Sequence, residues 1–195
     1  MGKFDTVKKN LEAEGFSVSC FDTAAQAADY LDQALDGKTI GIGGSITVQE
    51  LGLAPRLAGH NKVIWHWQGG NTKEAVETQV YLSSVNGLAE TGEIINIDGT
   101  GNRVASGLFG HEKVYFIVGR NKLAPDYDAA LWRARNIAAP KNAQRIGKKT
   151  PCAAKGDKCY DCKSPERICN ALVVYWHKPG SMDFEVVLVD EDLGY

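Results

Sequence analysis

The sequence predicts an α/β fold in which helices flank a mostly parallel sheet. Segments with the pattern of strands alternate with segments with the pattern of helices along the 195 residues, and this alternation is typical of parallel, helix-flanked sheets. The run Lys113–Gly119 is apolar on both faces, as a central parallel strand is. The short buried run Thr39–Gly43 leads through a glycine turn into a helix start. We therefore predict a Rossmann-like arrangement of strands and helices.

The first half of the chain shows this alternation most regularly. In the first helix Phe4, Val7 and Leu11 fall on one face, and Thr23 is placed to cap the second helix. His66, between two tryptophans, is expected to pack on a strand. The predicted elements are helix Phe4–Glu14, strand Phe16–Phe21, helix Ala24–Leu35, strand Thr39–Gly43, a helix from Ser45, strand Val63–Trp65, helix Thr72–Val80 and strand Tyr81–Ser84.

The second half is richer in predicted strands. The stretch Gly92–Asp98, a turn with two glycines and the stretch Asn102–Ser106 have the pattern of a hairpin. Two proline-led helices follow the central strand, and the cysteine-bearing segment after them is expected to be an irregular basic loop. Two more strands complete the pattern. These helices and strands are Pro125–Asn136, Pro140–Ile146, Ala171–Trp176 and Phe184–Val189.

Length and composition restrict the class of protein. A chain of 195 residues favours one domain, so we predict a single domain over 1–195, with a cysteine-rich loop at 147–170 appended to its core. The formal net charge of −2 gives no reason to expect nucleic-acid binding. No apolar run approaches the ~18 residues of a membrane span, and the N-terminal residues lack the apolar stretch of a secretory signal. These features predict a cytoplasmic protein, in which thiols stay reduced.

Four cysteines lie within eighteen residues, with the spacing C-x6-C-x2-C-x6-C. Eight basic and three acidic residues lie between Lys141 and Arg167, and this positive balance lowers thiol pKa and offsets the charge of a metal–thiolate centre. Four thiolates suit a [4Fe–4S] cluster or a structural zinc ion. The single CxxC and the nearby prolines favour the cluster, while free redox thiols and disulfides are alternatives. The predicted metal ligands are Cys152, Cys159, Cys162 and Cys169.

A ligand-binding cleft is predicted from the glycine turn and from polar residues near other strand ends. The turn Gly41–Ser45 joins a buried strand to a helix start, where glycine lets a ligand approach the backbone and free N–H groups suit phosphate or carboxylate. The dinucleotide fingerprint does not fit, because Ile46 occupies its third glycine position. An arginine fork can grip such an anion in two places. The residues expected to form this anion-binding cleft are Ser45, Thr47, Arg103 and Lys122.

Three stretches of the chain resemble the LUD-domain, or lactate-utilization, family. They are GIGGSITVQELGL at Gly41–Leu53, YLSSVNGLAETGEIINIDGTGNRVA at Tyr81–Ala105 and VGRNKLAPDYDAALWRARNIAAP at Val118–Pro140. The ETG, GNR and GxNK elements in that order make the resemblance specific, and the stretches lie within residues 4–146. With the cleft residues above, the candidate ligand-binding residues are Gly43, Gly44, Ser45, Thr47, Glu50, Asn86, Thr91, Gly92, Asp98, Gly101, Asn102, Arg103, Asn121 and Lys122.

The resemblance implies a fold similar to the sugar-phosphate isomerase and coenzyme A transferase superfamily. It also implies a link to the oxidation of lactate, or a related 2-hydroxy acid, as one component of a multi-protein iron–sulfur system. In such a system the cysteine centre would carry electrons and the cleft would bind a small anionic ligand. The implied partner is an iron–sulfur redox protein, and a homo-oligomer is a further expectation.

Two other functions fit the same residues. One is an acyl- or CoA-transferase-like, or sugar-phosphate-isomerase-like, enzyme whose cysteines hold a structural zinc ion. In coenzyme A transferases a glutamate at a comparable Glu-x-Gly position is the nucleophile, so the resemblance implies Glu90 as the candidate catalytic residue. The other is a non-catalytic regulatory or assembly subunit, which binds a ligand without turnover and associates with an iron–sulfur partner.

Overall fold

The computed structural model describes residues 2–195, and two sheets organise that part of the chain. The strands are β1 Ser17–Phe21, β2 Thr39–Ile42, β3 Lys62–Trp65, β4 Val80–Ser83, β5 Gly87–Ala89, β6 Ile94–Asp98, β7 Lys113–Gly119, β8 Leu123–Ala124, β9 Ala171–Tyr175 and β10 Asp183–Val189. The helices are α1 Asp5–Ala13, α2 Ala24–Ala34, α3 Ile46–Glu50, α4 Leu53–Leu57, α5 Thr72–Val76, α6 Asn102–Ser106, α7 Tyr127–Arg133, α8 Ala139–Arg145 and α9 Pro151–Lys155.

The larger sheet has six strands in the order β1-β10-β7-β4-β2-β3, and every pair in it is parallel. The smaller sheet has the order β8-β5-β6-β9; β6 pairs antiparallel with both β5 and β9, and β8 pairs parallel with β5. The apolar run at Lys113–Gly119 forms β7, between β10 and β4 near the middle of the larger sheet. The predicted α/β fold with a mostly parallel, helix-flanked sheet is confirmed.

The hydrophobic core forms layers on both faces of the parallel sheet. On one face, apolar side chains of β2, β4, β7 and β10 pack against α2, α3 and α4. On the other face, the alternate side chains of β4, β7 and β10 pack against α1 and the smaller sheet. A third, alanine-rich cluster joins β5 and β6 to α7. Both faces of the parallel sheet are therefore covered, which explains why its strands are apolar throughout.

The predicted hairpin is wrong in its second arm. β6 forms as expected, but Asn102–Ser106 is helix α6, and β6 pairs with β5 and β9 instead. The Asp98 carboxylate accepts hydrogen bonds from the backbone N–H groups of Thr100 (2.9 Å) and Gly101 (2.7 Å). Gly101 adopts φ +93°, a conformation that glycine reaches readily. This turn redirects the chain into a helix.

Two shorter predictions also need correction. His66 lies in a 3-10 turn at His66–Gln68, just past β3, and not on a strand. The segment 147–170 is not irregular throughout, because Pro151–Lys155 forms α9, capped by the Thr150 hydroxyl, which accepts from the Ala153 N–H at 3.3 Å. A proline at the first helical position is compatible with this start, since that position needs no N–H.

Candidate functional site

The main cavity has a volume of about 520 Å³ and lies where several strands of the parallel sheet end. Parallel strands place their carboxyl ends along one edge of the sheet, which is where ligands bind in open α/β folds. Segments that follow β2, β3, β4 and β7 each contribute to the wall. The residues that they contribute include Gly44, Ser45, Thr47, His66, Trp67, Ser84, Asn86 and Lys122.

Part of the cavity lining is basic. Arg145 ends α8, Lys148 follows it, and Arg167 belongs to the cysteine-bearing segment. The Arg145 guanidinium lies 4.7 Å from the centre of the Trp67 ring, a cation–π contact that holds it at the cavity wall. The acidic residues of the lining are Asp98 and Glu166, whereas Arg103 adds a further positive charge. The arrangement is therefore suited to a negatively charged ligand.

The glycine turn is shaped by packing as much as by the cavity. A Cβ on Gly43 would lie 2.5 Å from the hydroxyl oxygen of Tyr81, so only glycine fits there. Gly43 itself does not line the cavity, whereas Gly44 and Ser45 do. The Ser45 hydroxyl caps α3 by accepting from the Val48 N–H at 3.2 Å. Because α3 has only five residues, a helix dipole contributes little to anion binding here.

Lys122 lies at the base of the main cavity and is only 3% exposed. Its Nζ donates hydrogen bonds to the hydroxyl oxygens of Thr47 and Ser84, each at 2.7 Å. Burial, with the nearby guanidinium groups of Arg133 and Arg103, holds the pKa of Lys122 well below its usual value. The cavity thus contains a buried amine among hydroxyl groups.

Arg103 also lines the cavity, but its donors are bonded to the protein. Its two terminal nitrogens donate to the carbonyls of Ser84 and Ile97 and to the side-chain oxygens of Asn96 and Asn86, at 2.7–3.1 Å. Its Nε lies 3.4 Å from a carboxylate oxygen of Asp98. The fork expected to grip a ligand is filled, so Arg103 positions the loop after β4 against β6. Asp98, Asn86 and Asn102 remain part of the lining.

Two predicted ligand residues bind the last residues of the chain instead of facing the cavity. The Gly194 N–H donates to the Glu50 carboxylate at 2.7 Å. The Asn121 side chain donates to the Gly194 carbonyl at 3.2 Å and accepts from the Leu193 N–H at 3.0 Å. This tail brings Tyr195 to the cavity wall. Glu50 and Asn121 therefore shape the cavity indirectly.

The structure does not bring Glu90 to the main cavity. Glu90 lies in the turn between β5 and β6, beside α1, where its carbonyl accepts from the Asn10 side chain at 2.7 Å. Thr91, whose hydroxyl donates to the Glu93 carboxylate, and Gly92, with φ +114°, complete this turn. None of the three turn residues lines the cavity. Gly101 likewise stands outside it, at the start of α6.

The four clustered cysteines border one small second cavity, together with Arg135 and Arg167. All four are free thiols. Arg135 donates to the Cys159 sulfur at 3.7 Å, and Arg167 donates to the carbonyls of Cys162 (2.9 Å) and Cys169 (3.0 Å). Burial raises the pKa of the Cys169 thiol and outweighs the opposing effect of Arg167. The basic surroundings therefore do not lower this thiol's pKa, contrary to expectation.

The thiols are arranged around a space, not gathered on a point. Across residues 2–195, no group of three or more His, Cys, Asp or Glu side chains is placed to hold a metal ion. The second cavity nevertheless adjoins the main cavity, because Ala139, Arg167 and Ile168 line both. The cysteine-bearing segment therefore contributes to the lining of the main cavity.

Several residues of the main cavity were missed from the sequence. His66 and Ser84 directly follow β3 and β4, so the rule that ligands bind at the carboxyl ends of parallel strands points to both. Arg145 and Arg167 carry no such signal, because they reach the cavity from segments distant in sequence. The only sequence feature that pointed to these two arginines was their position in a basic stretch.

No helix in the described part of the chain has the length and apolarity needed to cross a bilayer. A crystal structure of a DUF162 family protein from Deinococcus radiodurans is similar over 94% of this chain and 94% of that chain, with 15% sequence identity and a TM-score of 0.56. Ribose 5-phosphate isomerase from Plasmodium falciparum is similar over 52% of each chain, with 13% identity and a TM-score of 0.35. The first likeness supports the fold alone. No curated protein matches the chain.

The family comparison covers nearly the whole sequence. The family model of the LUD domain matches residues 4–189, a range that begins just before α1 and ends with β10. It includes every strand of both sheets. This chain therefore belongs to the LUD domain family.

Proposed function

We propose that this protein is a component of the iron–sulfur-dependent oxidation of lactate or a related 2-hydroxy acid, and that it binds the organic acid in the main cavity. The observation that carries the proposal is the wall shared by the two cavities, formed by Ala139, Arg167 and Ile168. An electron-carrying centre on the cysteines would lie directly beside the bound acid.

The basic wall supports the choice of an acid as ligand. Arg145, Lys148 and Arg167 all line the cavity. Arginine binds carboxylate groups through paired hydrogen bonds, and such bonds strengthen where water is excluded. The volume of about 520 Å³ falls in the range of pockets that enclose drug-sized ligands, roughly 300–1,000 Å³. The cavity therefore has room for an acid larger than lactate, or for lactate beside a second molecule.

The donor set of the second cavity fits an iron–sulfur cluster. Four thiols border it, and Arg135 and Arg167 supply positive charge beside them. A single zinc ion binds each sulfur at about 2.3 Å and therefore requires all four sulfurs to converge on one atom. In a [4Fe–4S] cluster each thiolate binds a different iron. Cys152, Cys159, Cys162 and Cys169 would hold it, and it would supply one-electron transfer when bound.

The transferase alternative has no comparable support. Its proposed nucleophile, Glu90, lies in the turn between β5 and β6 and does not line the main cavity. Two carboxylate side chains line this cavity within residues 2–195. Asp98 lies beside Arg103, and Glu166 accepts from the Lys149 backbone N–H at 2.8 Å. The geometry therefore favours acid binding over acyl transfer to a carboxylate.

The test combines metal analysis with acid binding in protein purified without oxygen. We expect about four irons per chain with matching acid-labile sulfide and a broad visible absorption. Calorimetry should show binding of L- or D-lactate or a larger 2-hydroxy acid, weakened at least about tenfold, or ~1.4 kcal/mol, in Arg145→Gln. The control is Arg56→Gln, because Arg56 pairs with Asp29 and Asp32 away from the cavity. Zinc in place of iron, or equal loss of affinity in both variants, would contradict the proposal.

A further inference from the structure

The hydrogen bonds around Lys122 determine which direction its nitrogen leaves open. The Thr47 hydroxyl donates its hydrogen to the Leu193 carbonyl at 3.2 Å, and the Ser84 hydroxyl donates its own to the Ile117 carbonyl at 2.6 Å. Each hydroxyl has one hydrogen, so both oxygens must accept from Nζ. These two bonds use two N–H groups of Lys122. Within residues 2–195, the remaining tetrahedral direction of the nitrogen has no hydrogen-bond partner.

The surroundings of Lys122 favour the neutral amine. Within residues 2–195 it forms no ion pair, and the nearest charged groups that act on it include two arginines, Arg133 and Arg103, with Glu50 a weaker influence. A buried ammonium without a counter-ion is costly, and burial lowers lysine pKa for that reason. A neutral amine has two hydrogens, which Thr47 and Ser84 accept. The open direction then carries the nitrogen lone pair, in a residue that lines the main cavity.

We propose that Lys122 is a reactive amine that condenses with the carbonyl group of a 2-oxo acid bound in the main cavity. The inference rests on the proposed function, because a 2-oxo acid is the product of 2-hydroxy acid oxidation. The lone pair of Nζ attacks the carbonyl carbon, and the carbonyl oxygen leaves as water with the two amine hydrogens. A C=N bond replaces the C=O bond, and nothing is oxidised or reduced.

The rest of the cavity fits this assignment. Activated lysines that form Schiff bases are desolvated or lie beside other cations, and Lys122 meets both conditions. The hydroxyl groups of Thr47 and Ser84 hold the nitrogen in place. Arg145 and Arg167 also line the cavity and can pair with the carboxylate of the same acid. A 2-oxo acid would thus be bound at its charged end and meet the amine at its carbonyl.

The experiment is reductive trapping with pyruvate. The protein is incubated with pyruvate and cyanoborohydride, which delivers hydride to an imine, and the product is analysed by intact mass and peptide mapping. We expect one adduct per chain, with the mass of pyruvate less one water plus two hydrogens, on Lys122. Labelling there should exceed that of any other lysine at least about tenfold. It should be lost in Lys122→Arg, and the preference should disappear in urea-unfolded protein.

The remaining outcomes are distinguishable. The other lysines of the wild-type chain serve as the internal control, so the result does not depend on Lys122→Arg folding. Absence of an adduct, or labelling spread evenly over surface lysines, overturns the assignment. Calorimetry with pyruvate and no reductant then shows whether the acid still binds, in which case the proposed function stands without a reactive amine. A Lys122 adduct in protein that binds no iron would support the amine and overturn the iron–sulfur role.

Discussion

Arg103 and Lys122 lie in the same cavity wall, yet their donors are used differently. The five N–H groups of Arg103 all face protein acceptors, so its charge serves to join the loop after β4 to β6. Lys122 donates to two hydroxyl groups and lines the main cavity. Both residues were predicted from polar positions near strand ends, and only the bonding pattern distinguishes the filled fork of Arg103 from the amine that we propose is reactive.

Arg103→Lys should destabilise the protein by about 2–4 kcal/mol, because lysine cannot replace the planar fork and leaves buried acceptors unpaired. The acceptors at risk include the Ile97 carbonyl and the Asn96 side chain. Urea denaturation measures the free energy of unfolding. Arg56→Lys, at an exposed pair with Asp29, should change it far less, because exposed ion pairs contribute little. Equal effects in both variants would show that the Arg103 network contributes nothing special.

Glu185, on β10, is a second residue whose partners determine its charge. It accepts from Lys113 (2.8 Å), Tyr30 (2.6 Å) and Ser19 (2.7 Å). Burial alone would raise the pKa of Glu185, but these hydrogen bonds outweigh burial and hold the pKa below its usual value. A carboxyl group whose pKa is lowered by folding stabilises the folded state at pH values above the pKa of the unfolded state. This stabilisation is lost as the pH falls through the pKa of the folded state.

Glu185→Gln should therefore lower the free energy of unfolding by about 2 kcal/mol at pH 7. This value is smaller than that expected for a fully buried ion pair, because Lys113 is partly exposed. The difference from wild type should shrink as pH falls below about 4, where the carboxylate becomes protonated. Denaturation curves at a series of pH values test this. Glu112→Gln, at an exposed carboxylate, should show no such trend. A difference that is independent of pH would refute the electrostatic explanation.

The segment 147–170 shows what the sequence could and could not predict about an element. The clustering of its cysteines was visible in the sequence, and so was its positive charge. Its helix α9, its contact with the main cavity and the position of Arg167 between two cavities were not. Spacing along the chain reports which groups are close in sequence, whereas a shared wall depends on α8 and the smaller sheet packing against the segment.

Arg167→Gln should affect both cavities at once. Its guanidinium donates to the Cys162 and Cys169 carbonyls and lines the main cavity, so we expect lower iron retention and at least about tenfold weaker acid binding. Iron content and calorimetry measure the two effects separately. Lys163→Gln is the matched control, because Lys163 lies on the same segment and lines neither cavity. Loss of only one property would show that the cavities are independent.

For the whole molecule, the parallel sheet was the part most open to prediction. Its strands are buried on both faces and therefore apolar in sequence, as in β7. The three-residue strand β5 was missed, because it is too short to show a pattern and its pairing with β6 and β8 depends on tertiary contacts. The same contrast between sequence pattern and tertiary contact applies to the site. Residues at strand ends could be predicted, and those from α8 and the cysteine segment could not.

Removal of the metal should act on the whole site. If the cysteines hold a cluster, chelation frees the segment that supplies Pro165, Glu166, Arg167 and Ile168 to the main cavity. We expect acid affinity to fall at least about tenfold, with faster hydrogen exchange in residues 165–168. Exchange in β7, at the centre of the parallel sheet, should not change. Unaltered affinity in metal-free protein would show that the wall keeps its shape without a metal.

The shared wall also limits how this protein can be redesigned. Arg167 and Ile168 line both the main cavity and the second cavity, which the thiols border. A substitution at either position that changes ligand preference would also alter the surroundings of the cysteines, so the two properties cannot be tuned separately there. Arg145 and Lys148 line only the main cavity, so substitutions there would change its lining while the thiols are left intact.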